Sequence, residues 1–214
     1  MRPPPCDTLR VLSELVFPRA PHASVRVVRE VGRSEGFLSM RRVDLSVEDG
    51  PAFAYDVVER RAMDAAVIAA HYQAFGKPWV VLVSCVRPPF ALRGEAATFL
   101  ELPAGLIEPG EEPAEAALRE LFEETGLVVS HVSALGPPVL PAPAMIAERQ
   151  HMFHVSVTAE AVASTRPRGD GSDLERRAVL APVPLEDALR MAKLGLLADS
   201  KSELALRRLA EALA

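Results

Sequence analysis

The amino-acid sequence predicts an α/β (α+β) chain: a mixed sheet with helices on both faces, preceded by a small antiparallel β unit. Three observations carry this. Between residues 23 and 60 the segments ASVRVVREV, GFLSMRRVDLSV and AFAYDVVER alternate apolar and polar residues, with Gly and Asp-Gly between them, which is the period-two pattern of half-exposed strands. The segments AMDAAVIAAHY and KPWVVLVSCV are continuously apolar instead, as strands buried on both faces are. Helix-like segments with their own start and stop residues then follow among further short strands.

Taken in order, residues 1–20 are proline-rich and read as a loose arm. After the two apolar strands, RPPFALRGEAATFLELPAG is a long turn-rich link that ends in a short strand. GLIEPGEEPAEAALRELFEETGL is a glycine-led loop running into a helix. Pro113 suits the first turn, where a missing N–H is not needed, and Gly126 stands where a left-handed C-terminal cap belongs. At about 100° per residue, Leu118, Leu121 and Phe122 form this helix's expected buried stripe. LVVSHVSALGPPVLP reads as a strand and a proline-stiffened loop, RQHMFHVSVTAEA as a further strand, and TRPRGDGSDLERR as a mobile polar loop. AVLAPVP is the last strand, and PLEDALRMAKLG is a helix stopped by Gly195. Ser200 and Glu203 form a capping-box pattern opening a final helix, with Leu206, Leu209, Ala210 and Leu213 on one side. No internal repeat divides the chain further. The expected division is residues 1–60, an arm and small β unit, and residues 61–214, the main domain.

Composition narrows the function classes. Over 214 residues the net charge is −5, from 24 basic and 29 acidic side chains, which argues against a general nucleic-acid binder. It leaves room for a small anionic substrate, because a metal ion and a few arginines reverse a local field. Cys6 and Cys85 are too few for a disulfide framework and form no zinc motif; they read as buried or idle thiols. The five histidines are scattered, and His151 and His154 read as structural residues in a strand. No apolar run reaches a membrane span, and the N-terminus lacks the features of a secretory signal. No membrane partner and a cytoplasmic location are therefore expected.

The chemistry concentrates in the loop and helix after Gly105. Six glutamates (Glu111, Glu112, Glu115, Glu120, Glu123, Glu124) fall within fourteen residues, with Arg119 the only cation among them. Glu120, Glu123 and Glu124 project towards one face, and like charges so close repel by roughly 1 kcal/mol per pair in water and more near the protein. An acidic helix face is by itself as well explained by solvation. If it binds a cation, hard oxygen ligands without soft ones favour Mg²⁺ or Mn²⁺ over zinc. Arg119 is placed to pair with Glu123 one turn on and fix its rotamer.

The same segment decides between these readings. Gly105, Glu111, Arg119, Glu120, Leu121, Glu123, Glu124, Gly126 and Leu127 fill all nine specified positions of G-x5-E-x7-R-E-U-x-E-E-x-G-U, where U is bulky and aliphatic. This is the Nudix box, and the chain resembles the Nudix hydrolases. DVVERRAMDAAVIAA, VVLVSCVRPPF, LELPAGLIEPGE, LPAPAMIAERQHMFHV and LADSKSELAL, in this order, resemble the branch that cleaves ADP-ribose and nucleotide sugars. The resemblance spans residues 25–210 and is strongest at the box.

The resemblance implies an α/β/α sandwich and the Mg²⁺-dependent hydrolysis (Mn²⁺ as substitute) of the diphosphate of ADP-ribose or a related nucleotide sugar, giving a nucleoside monophosphate and a sugar phosphate. It implies Glu120, Glu123, Glu124 and the Ala104 carbonyl as metal ligands. Arg60 and Arg87 become candidates for gripping phosphates, with Arg61 an alternative to Arg60; arginine's planar fork suits that task. Pro143 and Glu148 stand in the proline and glutamate positions of the branch's "SPG…E" loop. The general base is expected on a late loop, at Glu175, with Asp173 and Glu148 as runners-up and Glu123 the candidate within the box. The chain departs from the branch at Ala142 and Ala144 around Pro143, and at Ser84-Cys85-Val86 before Arg87, where the branch has Gln-Tyr before its arginine; these departures bear on the sugar more than on hydrolysis. A homodimer is also implied, with the N-terminal β unit packing on the partner subunit. The competing expectations are another substrate, such as GDP-mannose, UDP-glucose or a dinucleotide, and a ligand-sensing module that does not hydrolyse. The second is disfavoured because every box glutamate is retained.

Overall fold

The computed structural model describes residues 25–34, 36–168 and 178–214. The expected N-terminal arm, Asp173 and Glu175 lie outside these residues. The described residues form two compact units, residues 25–34 with 41–56 and residues 36–40 with 57–214.

Three strands, β1 (Val25–Ser34), β2 (Ser39–Val47) and β3 (Phe53–Glu59), make one sheet in the order β1-β2-β3. In the smaller unit, arginine–carboxylate pairs tie neighbouring strands: Arg29 Nε to Asp44 (2.6 Å), and Arg42 to both oxygens of Asp56 (2.9 Å each). Val28, Val31, Val47 and Phe53 are nevertheless exposed.

The larger unit is built on a second sheet in the order β10-β5-β4-β9-β8, where β4 is Ala65–Ala74, β5 Lys77–Val86, β8 Ser133–Ala134, β9 Gln150–Ser156 and β10 Leu180–Pro184. β9 runs parallel to β4, and the other pairings are antiparallel, so the sheet is mixed as expected. β4 and β5 pair only near their shared turn, from His71 opposite Val80 to Ala74 opposite Lys77. Beyond this the strands part. There β6 (Thr98–Glu101) pairs with β5, Val83 opposite Glu101, and β7 (Ala104–Leu106) pairs with β4, Val67 opposite Ala104. At the fork Ile68 N donates to Pro103 O (2.9 Å). The glycine-led loop therefore starts inside the split sheet, with its first residues fixed by a ladder.

Period-two alternation along β4 sends its residues to two cores. Val67 and Ala69 join Val80, Leu82 and Met152 under α4 (Leu185–Lys193) and α5 (Ser200–Ala212), which contribute Leu185, Ala188, Leu206 and Leu209. Ala66, Ile68 and Ala70 face α2 (Pro113–Thr125), meeting Ala116, Ala117 and Leu121. Alanine against alanine lets the helix sit close to the strand. The architecture is thus an α/β/α sandwich.

Several local expectations are corrected. The link after β5 contains a short helix, α1 (Pro88–Leu92), begun by Pro at its first turn. The strand read across RQHMFHVSVTAEA stops at Ser156. Thr158 then caps α3 (Ala159–Ser164) by accepting from Ala161 N (3.1 Å). In LVVSHVSALGPPVLP only Ser133 and Ala134 are strand. Leu127 N is already taken by Thr125 Oγ1 (3.1 Å), and Arg208 Nη1 donates to Leu135 O and Pro137 O (2.9 and 2.8 Å). The last helix is capped by Asp199, whose carboxylate accepts from Ser202 N (3.1 Å), and Leu213 at its end is exposed. On α2 the buried side is Ala116, Ala117, Leu121 and Thr125; Phe122 is exposed, beneath the Arg168 guanidinium (5.8 Å from its centroid).

Candidate active site

The loop–helix segment is held together by Arg119. Its Nε and Nη2 donate to the two oxygens of Glu111 (2.9 Å each), and Nη2 also to Leu106 O (2.9 Å). Nη1 donates to Glu120 (2.6 Å) and to Glu123 (3.2 Å), the expected pairing one turn on. One guanidinium thereby closes the loop onto the helix and relieves the repulsion among three carboxylates. Glu111 is tied from its other side by Glu108 N (2.9 Å), and the Arg119 hydrogen bonds, against the cost of burial, hold its carboxyl below the usual range. The same hydrogen bonds, led by that of Glu111, raise Arg119 further above its ordinary value.

Gly105 has a steric reason to be glycine. A Cβ built there would collide with the carboxylate of Glu120. The backbone at Gly105 thus lies directly against the Glu120 carboxylate. Gly126 closes α2 in the left-handed region (φ 75°) and donates from its N to Phe122 O (2.7 Å). A Cβ there would strike Thr165 Oγ1 and Arg166 O.

Whether these residues suit a divalent cation is decided by donor chemistry and packing. Among the described residues no three His, Cys, Asp or Glu side chains converge into a ready-made cage; Glu120 and Glu123 turn to Arg119 instead. The donors are nonetheless all hard oxygens, one oxygen of Glu124 is withdrawn from solvent, and Gly105 leaves the Glu120 carboxylate against the loop backbone. The set fits a hard cation such as Mg²⁺ or Mn²⁺.

A second charged group stands at the β5–β6 edge of the fork. Arg87 Nε and Nη2 grip both oxygens of Glu101 (2.8 and 2.6 Å), and Lys201 Nζ reaches the same carboxylate (2.5 Å) and Asp199 (2.8 Å). The Glu101 side chain is 4% exposed, yet that of Arg87 is 46% exposed. Burial alone would raise the Glu101 pKa, but the Arg87 hydrogen bonds and the Lys201 charge outweigh it and hold it at about 2. Sequence reasoning missed Glu101 and Lys201. The only trace of them was the stretches LELPAG and ADSKSE, whose meeting requires the fold. Cys85 lies beside this group, and its thiol is pushed up to about 12, by burial first and then by Glu124 and Glu101. This agrees with an idle thiol.

The structure joins two candidates that the sequence treated separately. Arg60 donates from Nη2 to Glu148 (2.7 Å) and to Met63 O (3.0 Å), and from Nε to Ala62 O (2.8 Å). The other oxygen of Glu148 accepts from Gln150 Nε2 (2.9 Å). Both ends of this pair are largely covered, Arg60 at 15% and Glu148 at 11% side-chain exposure. Arg61 and Pro143 are exposed, and Ala142 O accepts from Met145 N and Ile146 N (2.9 and 3.0 Å) in the turn around Pro143. The residues flanking the Glu175 segment are anchored. Arg168 N donates to Glu123 O (2.8 Å), and Val179 exchanges hydrogen bonds with Ser84 (2.9 and 3.1 Å).

Comparison with known proteins agrees with this architecture. The NUDIX domain matches residues 61–203. An ADP-ribose pyrophosphatase of Bacillus subtilis is 31% identical over 180 residues, which cover 82% of this chain and 89% of that protein. An ADP-sugar pyrophosphatase of Mus musculus is 38% identical over 99 residues, 45% of this chain and 43% of the mouse protein. A crystal structure of an ADP compounds hydrolase superposes with a TM-score of 0.64 at 19% identity, covering 92% of this chain and 97% of that one, and shows a shared fold. With the domain matched over most of the chain and its box closed by Arg119 as described, this protein belongs to the Nudix hydrolase family.

Proposed function

We infer that the protein hydrolyses the diphosphate bridge of ADP-ribose or a closely related nucleotide sugar, releasing a nucleoside monophosphate and a sugar phosphate. The observation that carries this is the 31% identity across 89% of a relative named ADP-ribose pyrophosphatase, joined to a box in which every ligand-type residue is present. Nudix hydrolases use divalent metal ions, and here Mg²⁺, or Mn²⁺ in its place, would be held by Glu120, Glu123, Glu124 and the Ala104 carbonyl. When bound, the ion neutralises the diphosphate and lowers the pKa of a water.

The chain's own residues supply the rest. Arg87, gripped on one edge by Glu101 and partly exposed, would orient a phosphate; Arg60 is the second candidate grip. Such orientation by fixed donors lowers the barrier without costly reorganisation. A carboxylate takes the proton of the attacking water as the new P–O bond forms and the bridging P–O bond breaks. Glu175 is our choice for this base, because the described residues on both sides of its segment are anchored at Glu123 and Ser84. Glu148 and Glu123 are the alternatives. Pro143, in the turn closed by Met145 N and Ile146 N on Ala142 O, would contribute to binding the substrate. A homodimer accords with the apolar residues exposed on the three-stranded sheet.

The test is a panel of ADP-ribose, GDP-mannose, UDP-glucose and a dinucleotide, run with Mg²⁺ and with Mn²⁺ and scored for released monophosphate. ADP-ribose should give the highest kcat/KM. Glu124→Gln should reduce turnover at least about a hundredfold with unchanged thermal unfolding. Near-normal activity in that variant overturns the metal assignment, and turnover of GDP-mannose or UDP-glucose alone overturns the substrate.

A further inference from the structure

Arg87 and Lys201 come from opposite ends of the catalytic domain's sequence and share one buried carboxylate. Glu101 is the last residue of β6, Arg87 follows β5, and Lys201 lies in the first turn of α5. Both Glu101 oxygens are filled by Nε and Nη2 of Arg87, and Oε2 accepts from Lys201 Nζ as well. Lys201 is itself fixed from behind by Asp199, the residue that caps α5. Asp199 also accepts from Ser202 Oγ (2.5 Å), and that oxygen in turn accepts from Leu102 N (2.7 Å), next in chain to Glu101. The helix start is therefore clamped to the β6 end through both backbone and side chains.

This arrangement has a direction. Lys201 (13% exposed) and Glu101 are enclosed, while Arg87 is the member of the cluster that reaches solvent. The Glu101 bonds consume its Nε–Nη2 edge and leave Nη1 outside the pair. A carboxylate shared between two cations cannot follow the arginine if it swings, so the second cation fixes the orientation of the first. Lys201 also offsets the Glu101 charge, so Arg87 is not fully neutralised by its own anchor.

We propose that Lys201 is a positioning residue for phosphate binding: by holding Glu101 from the helix side, it aims the open edge of Arg87 at the substrate's diphosphate. This rests on the reading of Arg87 as a phosphate grip, and it adds a role for the C-terminal helix in substrate binding.

The test measures inorganic pyrophosphate binding calorimetrically with Ca²⁺ present, and KM and kcat for ADP-ribose with Mg²⁺, in wild type, Lys201→Gln and Lys201→Arg. Lys201→Gln should weaken pyrophosphate binding about tenfold, the loss of one charge-assisted contact's worth of orientation, and raise KM more than it lowers kcat. Lys201→Arg should recover most of the loss. A helix clamp with only a structural role would instead lower thermal stability and leave pyrophosphate affinity in the folded protein unchanged. Asp199→Asn/Lys201→Gln removes both charges of the rear pair together and keeps a capping side chain; it carries the same expectation if Lys201→Gln does not fold. Wild-type affinity in the folded variant, or no pyrophosphate binding by the wild type, overturns the proposal. Pyrophosphate binding without ADP-ribose turnover in the wild type would defeat the proposed activity while leaving the positioning role to be read from the binding series.

Discussion

Individual residues in this site are chosen by what their neighbours leave them. Arg119 is the clearest case, since five acceptors on three segments converge on one guanidinium, and lysine has no planar fork with which to replace it. Gly105 is the other, because its missing Cβ is the space that the Glu120 carboxylate occupies. Gly105→Ala should push that carboxylate aside and lower kcat/KM about a hundredfold, the cost of displacing a catalytic group by roughly 1 Å. Thermal unfolding should change little, because the clash is with the end of a flexible side chain; unaltered kcat/KM would refute the close approach. The role of glycine at position 105 was legible in the motif, but its reason was not. Only the folded loop shows which atom needs the room.

At the scale of elements, strand pairing brings together side chains with no sequence relation. His71 on β4 and His154 on β9 stack with their ring centroids 5.3 Å apart, and His71 Nε2 lies 3.1 Å from His154 Nδ1. The pKa of His71 is lowered, by burial first and then by His154, and that of His154 by burial. As pH falls through the ordinary histidine value of 6.5, the unfolded chain takes up protons before the folded one. Stability contributed by the neutral pair is therefore full above this pH and declines below it. Urea unfolding at pH 7.5 and 5.5 should show a loss at the lower pH that is smaller in His154→Gln; an equal loss in both proteins would refute the assignment. The sequence marked His154 only as structural. Its partner, 83 positions away, depends on the parallel register of β4 and β9. Likewise, period-two and apolar patterns located β4 and β5, but the fork between them was invisible, since a strand's neighbours are set by non-local pairing. The short helices α1 and α3 were missed because each is little more than one or two turns and too brief for a helical period to register.

Across the whole molecule, the larger unit closes two cores on one mixed sheet, and the smaller unit leaves apolar side chains on a three-stranded sheet uncovered. A sheet of that size is stabilised by covering its apolar face. Light scattering at micromolar concentration should give a dimer mass, and Val31→Glu should shift the protein towards monomer; a monomeric wild type would refute the dimer. Among the described residues no helix is long and apolar enough to cross a membrane.

The sequence by itself determined the chemistry of the box, the alternation that makes strands, and the helices with clear caps. These depend on residues close in the chain, where spacing of three, four or two positions fixes who meets whom. Tertiary structure alone decided that Glu101, Arg87, Lys201 and Asp199 form one cluster, that Arg60 meets Glu148, and that Phe122 points outwards. Each of those outcomes depends on which strands pair and which helix face finds the sheet, and no local pattern encodes that.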